Sequence, residues 1–330
     1  MNIPDWWPLI LLGLGGAAFA AKKALGKSDN PSYRDTIPIK GLWVPNWTGQ
    51  NAADIERFIG AGINTLFVAV QDMPTDLDGP HKTGTVGHWG RWPEAQAILR
   101  RYKNDSRVKL ILCPSISRHH KKLPRQFRHS KTPYLPDLKN LEYYRYKFDS
   151  AVRLANLYQA GLMFDMEQYS PGRDGFHQKS GFYSKAEKTQ FSREVRRSLK
   201  KLKRKNFGMF PHRADWVRDA FAVLGKISWF LEERCYDDWD KKSRANIKEE
   251  AEYGYVMCGI WPERFGTVDK MIAGIEERGT YESGSGYWIW SPSQMLIPSG
   301  HAPNSGDSAT PSGIGRAEFF HKLSELNKTT

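Results

Sequence analysis

Residues 41–70 read GLWVPNWTGQNAADIERFIGAGINTLFVAV, and the periods inside this stretch decide the fold. Gly41 to Pro45 (GLWVP) is a short apolar run that predicts a strand, and Ile55, Phe58 and Ile59 recur at helical spacing and predict one buried helix face. Asn64 to Val70 (NTLFVAV) is a second apolar run and predicts a second strand. Strand, helix and strand in that order make a β-α-β unit. Its two strands run parallel.

The same alternation continues outward from this unit. Val108 to Cys113, Gly161 to Phe164, Phe207 to Phe210, Ile227 to Leu231, Tyr255 to Ile260 and Tyr287 to Trp290 are further strand-like runs, so eight strands are expected. The stretches between them carry helix signals. Leu141, Phe148 and Val152 mark a long helix, Ser184 with Glu187 predicts a capping box, and Val268, Met271, Ile272 and Ile275 follow i, i+3, i+4, i+7 spacing. Such a series demands a parallel sheet covered by helices, and eight repeats predict a closed (β/α)₈ TIM barrel. A doubly wound open sheet is the rival, but after GLWVP comes NWTGQN and no Gly-rich phosphate loop. Long loops are expected at 74–92, 118–137 and 298–314. In a barrel, loops after the strands build the active face.

The amino terminus has a different composition. Trp6 to Ala21 (WWPLILLGLGGAAFAA) carries no charge and, at about 1.5 Å per residue, spans roughly 24 Å as a helix. Trp6 and Trp7 sit where an interfacial anchor would, and Lys22, Lys23 and Lys27 follow it. The expectation is an uncleaved anchor that contacts lipid through residues 6–21, in a cell or virion membrane. Secretion after signal cleavage is the alternative, since Ala18-Phe19-Ala20 imitates a cleavage site, but Asp5 stands where a positive start belongs. The expected organisation is therefore an anchor with a basic flank (1–27), a polar linker (28–37) and a barrel domain (38–330).

Composition narrows the partners. At 40% hydrophobic and 13% aromatic the chain can bury a sizeable core. A formal charge of +13 favours polyanions such as nucleic acid, anionic lipid or acidic cell-wall polymers. Cys113, Cys235 and Cys258 lie in or beside apolar runs without metal-ligand spacing and read as small buried hydrophobes. His119 and His120 are adjacent and share no face, and His81 and His88 lie in a Gly-rich loop. Neither a metal nor a cofactor is expected.

The chemistry sits on the fourth strand, GLMFDMEQY. Asp165 and Glu167 are two residues apart, so in an extended chain they point the same way, about 6.6 Å apart. Where a barrel strand ends, that direction is the mouth. Two carboxylates there do not both ionise freely, and one is pushed toward a proton-donor pKa. A protonated Glu167 beside an ionised Asp165 suits glycosidic cleavage. Alone, the pair could equally be ordinary acids ending a strand; the location selects the catalytic reading.

The row FDMEQYSP resembles the fourth-strand D-x-E motif of barrel glycoside hydrolases: chitinase-type enzymes, hyaluronidases, and the barrel muramidases of phage and bacterial origin. The hyaluronidase likeness extends to GIWPERF and YWIWSPS, and the muramidase likeness to GLWVPNWTGQ and AGINTLFV. The chitinase and hyaluronidase resemblance implies substrate-assisted retention. Glu167 protonates the leaving oxygen, the substrate's N-acetyl group attacks the anomeric carbon, and Asp165 stabilises that acetamide. Met163 stands where the chitinase pattern has another Asp, and Asn46 follows the first strand where muramidases carry an aspartate. Stabiliser, nucleophile and orienter all stay open for Asp165.

Other strand ends offer sugar contacts: Trp43, Asn46 and Trp47 after the first strand, Gln71 and Asp72 after the second, Tyr169 in the motif, and His212 with Arg213 after the fifth. Glu233 and Tyr236 follow the sixth, Trp261 and Glu263 the seventh, and Trp290 the eighth. Aromatic faces cover the apolar faces of pyranose rings while polar neighbours take the hydroxyls. Two basic runs remain. Arg118 to Lys131 is a loop after the third strand, suited to an acidic polymer. Arg193 to Lys205 places Val195, Leu199 and Leu202 on one helical face, as a solvated outer barrel helix would, with docking onto anionic lipid or nucleic acid as the alternative.

The expected function is hydrolysis of an N-acetylhexosamine-containing polysaccharide, peptidoglycan first, with an anionic or cell-wall polymer as partner. The alternative is an inactive barrel serving as a membrane-anchored carbohydrate-binding or structural virion protein. Nucleic acid has charge in its favour and no recognised motif.

Overall fold

The computed structural model describes residues 39–44, 49–70, 92–114, 128–129, 132–136, 141–165, 184–204, 206–210, 223–224, 229–232, 244–245, 247–248, 255–260, 265, 267–280, 286–289 and 316–329. All belong to the compact unit that spans Pro38–Thr330. The anchor and linker expected at 1–37 lie outside the described residues. Among the described residues no helix is long and apolar enough to cross a membrane.

Eight parallel strands close into a barrel: β1 (Ile39–Val44), β2 (Thr65–Val70), β3 (Lys109–Pro114), β6 (Gly161–Asp165), β7 (Phe207–Phe210), β8 (Trp229–Glu232), β9 (Tyr255–Ile260) and β10 (Gly286–Ile289). The ring closes where β1 pairs with β10, Leu42 opposite Ile289. All eight expected strands form within two residues of their sequence-predicted limits. A hairpin absent from the sequence reading, β4 (Arg128–His129) with β5 (Thr132–Pro136), stands inside the loop expected at 118–137. Pro133 and Pro136 favour extended backbone there, which suits a short edge pairing.

Six helices are described: α1 (Gly49–Gly60), α2 (Trp92–Tyr102), α3 (Leu141–Leu157), α4 (Lys185–Leu199), α5 (Val268–Thr280) and α6 (Arg316–Thr329). Alternation along the strands sends one set of side chains out to these helices. Leu42, Val44, Leu66, Val68, Leu112, Leu162 and Phe164 join Ile55, Phe58, Phe148, Phe191, Met271 and Phe319 in one buried cluster. Phe58 is fully buried, with its ring 4.9 Å from Phe320 and 6.0 Å from Phe319. Its burial is worth about 2–3 kcal/mol.

The other set fills the barrel. Trp43, Phe67, Ile111, Met163, Met257 and Trp288 are buried inside the ring, outside the helix-facing cluster. Gly41 makes room among them: a Cβ there would come within 2.5 Å of the Phe67 ring. Cys113 and Cys258 are buried thiols outside any disulfide, as the sequence predicts, and Cys235 lies outside the described residues.

The floor, at the amino ends of the strands, is bolted by hydrogen bonds. Lys40 donates its main-chain N–H to Asn64 Oδ1 (3.0 Å) and its Nζ to the carbonyl of Asn327 (2.7 Å). Asn327 Nδ2 donates to the carbonyl of Ala61 (2.7 Å), and the Tyr287 hydroxyl donates to Asn327 Oδ1 (3.0 Å). One asparagine on α6 thus ties β1, the α1–β2 turn and β10 together. The Lys40 ammonium also meets the negative end of the α6 dipole. Beside this bolt Gly286 adopts φ +109 where β10 begins, and a Cβ there would run into the carbonyl of Ile39. Only glycine fits this closing position.

Candidate active site

The carboxyl ends of the strands form the opposite rim. The eight strands end on Val44, Val70, Pro114, Asp165, Phe210, Glu232, Ile260 and Ile289, so β6 and β8 alone end on an acid. Asp165 pairs with Phe210 in register, and Met163 with Gly208. Leu162 and Phe164 face the helices. Asp165 therefore shares the interior-facing side of β6 with Met163 and Gly161. Glu232 pairs with Cys258, which pairs in turn with the helix-facing Tyr287, so Glu232 occupies the outward parity. The sequence reading passed over Glu232 and named the next residue, Glu233.

Two of the sequence-predicted site residues fall among those described. Asp165 is one, by its backbone. The other, Trp43, is 6% exposed inside the barrel, its ring 5.8 Å from that of Trp288. Trp288 Nε1 in turn donates to the Met257 carbonyl (3.1 Å). This pair of indoles closes the barrel interior. Asn46, Trp47, Gln71, Asp72, Glu167, Tyr169, His212, Arg213, Glu233, Tyr236, Trp261, Glu263 and Trp290 lie outside the described residues.

β6 is held by the two helices that flank it in sequence. The Phe148 ring of α3 lies tilted at 4.9 Å from that of Phe164, the residue before Asp165, and meets Phe191 of α4 edge-on at 5.1 Å. On α4 the predicted capping box forms: Glu187 N–H donates to Ser184 Oγ (3.2 Å) and Ser184 N–H donates to Glu187 Oε2 (2.8 Å). Two orphan donors of the first turn are thereby satisfied.

Ion pairs lace the outer surfaces of α3 and α4. Arg145 donates Nε and Nη2 to the two oxygens of Glu194 at 3.0 Å each, and Arg197 Nε donates to Glu194 Oε2 (2.9 Å). Arg197 also reaches Asp149 at 3.2 Å through both Nη atoms, and Ser198 Oγ donates to Asp149 Oδ1 (2.7 Å). The Arg145 hydrogen bonds, with those of Arg197, hold the Glu194 carboxyl below its usual range against the opposing effect of burial. At Asp149 burial pushes upward, but Ser198, Arg197 and Lys201 together outweigh it and the net direction is down.

One titratable group was missed in the sequence. Lys147 is 2% exposed, and burial pushes its ammonium down to about 7. It neighbours Phe148, whose ring touches the residue preceding Asp165. The available signal was spacing: Lys147, Ser150, Ala151 and Leu154 follow i, i+3, i+4, i+7, and all four are buried.

Solved structures share this architecture. An alpha-amylase from Anoxybacillus is 11% identical with a TM-score of 0.52, covering 88% of this chain and 77% of that one. A glycoside hydrolase 5 lichenase from Caldicellulosiruptor sp. F32 is 10% identical with a TM-score of 0.52, covering 91% and 98%. An endocellulase from Pyrococcus horikoshii is 11% identical with a TM-score of 0.50, covering 88% and 93%. At such identities the likeness is one of fold. No family model and no curated protein sequence matches the chain.

Proposed function

We propose that the chain is a glycoside hydrolase acting on an N-acetylhexosamine-containing polysaccharide, with peptidoglycan as the first candidate. The observation that carries this reading is Asp165, an acid on the interior-facing side at the carboxyl end of the fourth barrel strand, with Glu167 two residues on. Active sites of such barrels gather at that end, and the three barrels of like fold named above are all glycosidases by name.

In the mechanism that follows, Glu167 gives its proton to the glycosidic oxygen as the bond to the anomeric carbon breaks. The substrate's acetamide oxygen attacks that carbon, and Asp165 stabilises the positive charge that develops on the acetamide nitrogen. Water then opens the cyclic intermediate and returns a proton to Glu167. Residues 6–21, as an anchor, would keep the barrel at a membrane beside its polymer.

The experiment is release of reducing ends from purified peptidoglycan and from chitin oligosaccharides by the full chain in neutral detergent. Release from either supports the reading. Binding of both polymers with no release overturns it in favour of a carbohydrate-binding protein.

A further inference from the structure

The barrel closes along one seam whose two edges are not successive in the chain. β1 and β10 are the first and last strands of the ring, whereas every other ladder joins strands that follow one another in barrel order. Where successive strands part, the connection between them still keeps the two edges near each other. A parted seam has only the rest of the folded sheet to do so, and its edges gain the most freedom. The ladder is short as well, running from Ile39 opposite Gly286 to Leu42 opposite Ile289.

α6 supplies the missing connection. Phe319 and Phe320 meet Phe58 of α1, the helix after β1, and Lys322 Nζ donates to Asp269 of α5, the described helix before β10. The helix thus straddles the seam from outside, and its Asn327 staples the two edges. Lys40 and Tyr287 stand opposite each other in the ladder, and both donate to Asn327, one to its carbonyl (2.7 Å) and the other to its Oδ1 (3.0 Å). Both donors belong to buried residues. The strands cannot part under a docked α6 without pulling one donor away from Asn327 in a space that the helix covers, which is the costly way to lose a hydrogen bond.

We propose that α6 is a strap, and that its undocking and the opening of the β1–β10 seam are one event, lying below unfolding of the whole barrel in free energy. Proteins open in contiguous cooperative units of this kind. The other ladders stay paired, as an open sheet. The event reaches beyond the floor, because Trp43 on β1 and Trp288 on β10 face each other across the same seam inside the barrel, 5.8 Å apart. Release of the strap parts this indole pair. Whatever docks or frees α6 therefore sets whether the barrel interior is closed. This inference stands without the hydrolytic reading.

The test is amide hydrogen exchange of the full chain in neutral detergent, read by mass spectrometry on peptides covering 39–44, 286–289 and 316–329, with 161–165 and 207–210 as the comparison. In the wild type, under rising sub-denaturing urea, the first three segments are expected to share one opening free energy and one urea slope, both smaller than those of β6 and β7. Trp288→Phe alters the seam from its interior side. It is expected to raise exchange in 316–329 by the same factor as in 39–44 and 286–289, about tenfold. Exchange in 316–329 that keeps its wild-type rate in the variant, or that opens below the two seam segments in the wild type, would mean that the helix leaves a closed seam and would overturn the proposal. So would seam segments that match β6 and β7 in free energy and slope, because the seam would then open only as the whole barrel unfolds. The wild-type series decides the case alone if the variant does not fold.

Discussion

At the floor of the barrel Asn327 serves three elements through part-buried bonds to partners whose residues are buried: Lys40 to its carbonyl, Tyr287 to its Oδ1, and its own Nδ2 to Ala61. On the wall formed by α3 and α4, Glu194 and Asp149 together collect Arg145, Arg197, Ser198 and Lys201, with their arginines 54% and 38% exposed. Both are polar clusters, but their physics differs. Floor bonds have one geometry and no substitute, so a missing partner leaves buried groups unsatisfied. Wall pairs are redundant and reached by water and salt, so each is worth little. The floor fixes where the strands close. The wall tolerates change.

The largest effect expected from this contrast is at Asn327. Asn327→Ala orphans the Tyr287 hydroxyl and the Ala61 carbonyl and should cost about 3 kcal/mol in urea unfolding. A loss under 1 kcal/mol would make the floor no more specific than the wall.

Lys147 sharpens the comparison, because it belongs to a wall helix yet is buried as the floor residues are. Its folded pKa of about 7 lies below the ordinary lysine value of 10.5. The unfolded chain therefore binds more protons between these values, and stability rises with pH across that window and levels off above it. Between pH 7 and 9 the gain is about 2 kcal/mol. Lys147→Met should remove that rise while leaving the protein more stable at pH 7. An unchanged pH slope in the variant would assign the rise to other groups.

The smallest effect is on the wall itself. Glu194→Gln keeps shape and some hydrogen bonding, and Arg197 keeps Asp149, so the cost is about 1 kcal/mol and shrinks in 1 M salt. A cost matching that of Asn327→Ala, insensitive to salt, would erase the distinction.

The eight strands were legible because apolar runs such as VKLILC and NTLFVAV repeat at intervals that only a helix-covered parallel sheet satisfies. The capping box at Ser184 and Glu187 was legible because its two side chains act within four residues. Asn327 was not, since its partners Lys40, Ala61 and Tyr287 are distant in sequence and a lone asparagine in a polar helix has no period. The β4–β5 hairpin was hidden in a basic, proline-containing run that reads as loop. The position of Asp165 at the end of the fourth strand was legible because the apolar run GLMF stops there. The outward parity of Glu232 needed the register of β8 against β9, and Lys147 was obscured by its charge, which masked its place on an apolar face.

The barrel's rigid floor matters only if the opposite rim does the chemistry, and the acids after β6 are the place to test that. Initial rates of reducing-end release from peptidoglycan should be compared for wild type, Glu167→Gln and Asp165→Asn, with melting temperatures measured in parallel. Loss of the proton donor predicts a fall of at least 10²-fold for Glu167→Gln, and a comparable loss for Asp165→Asn, with melting within about 2 °C of wild type. Equal release by all three proteins would contradict the assignment of the D-x-E pair as the catalytic centre.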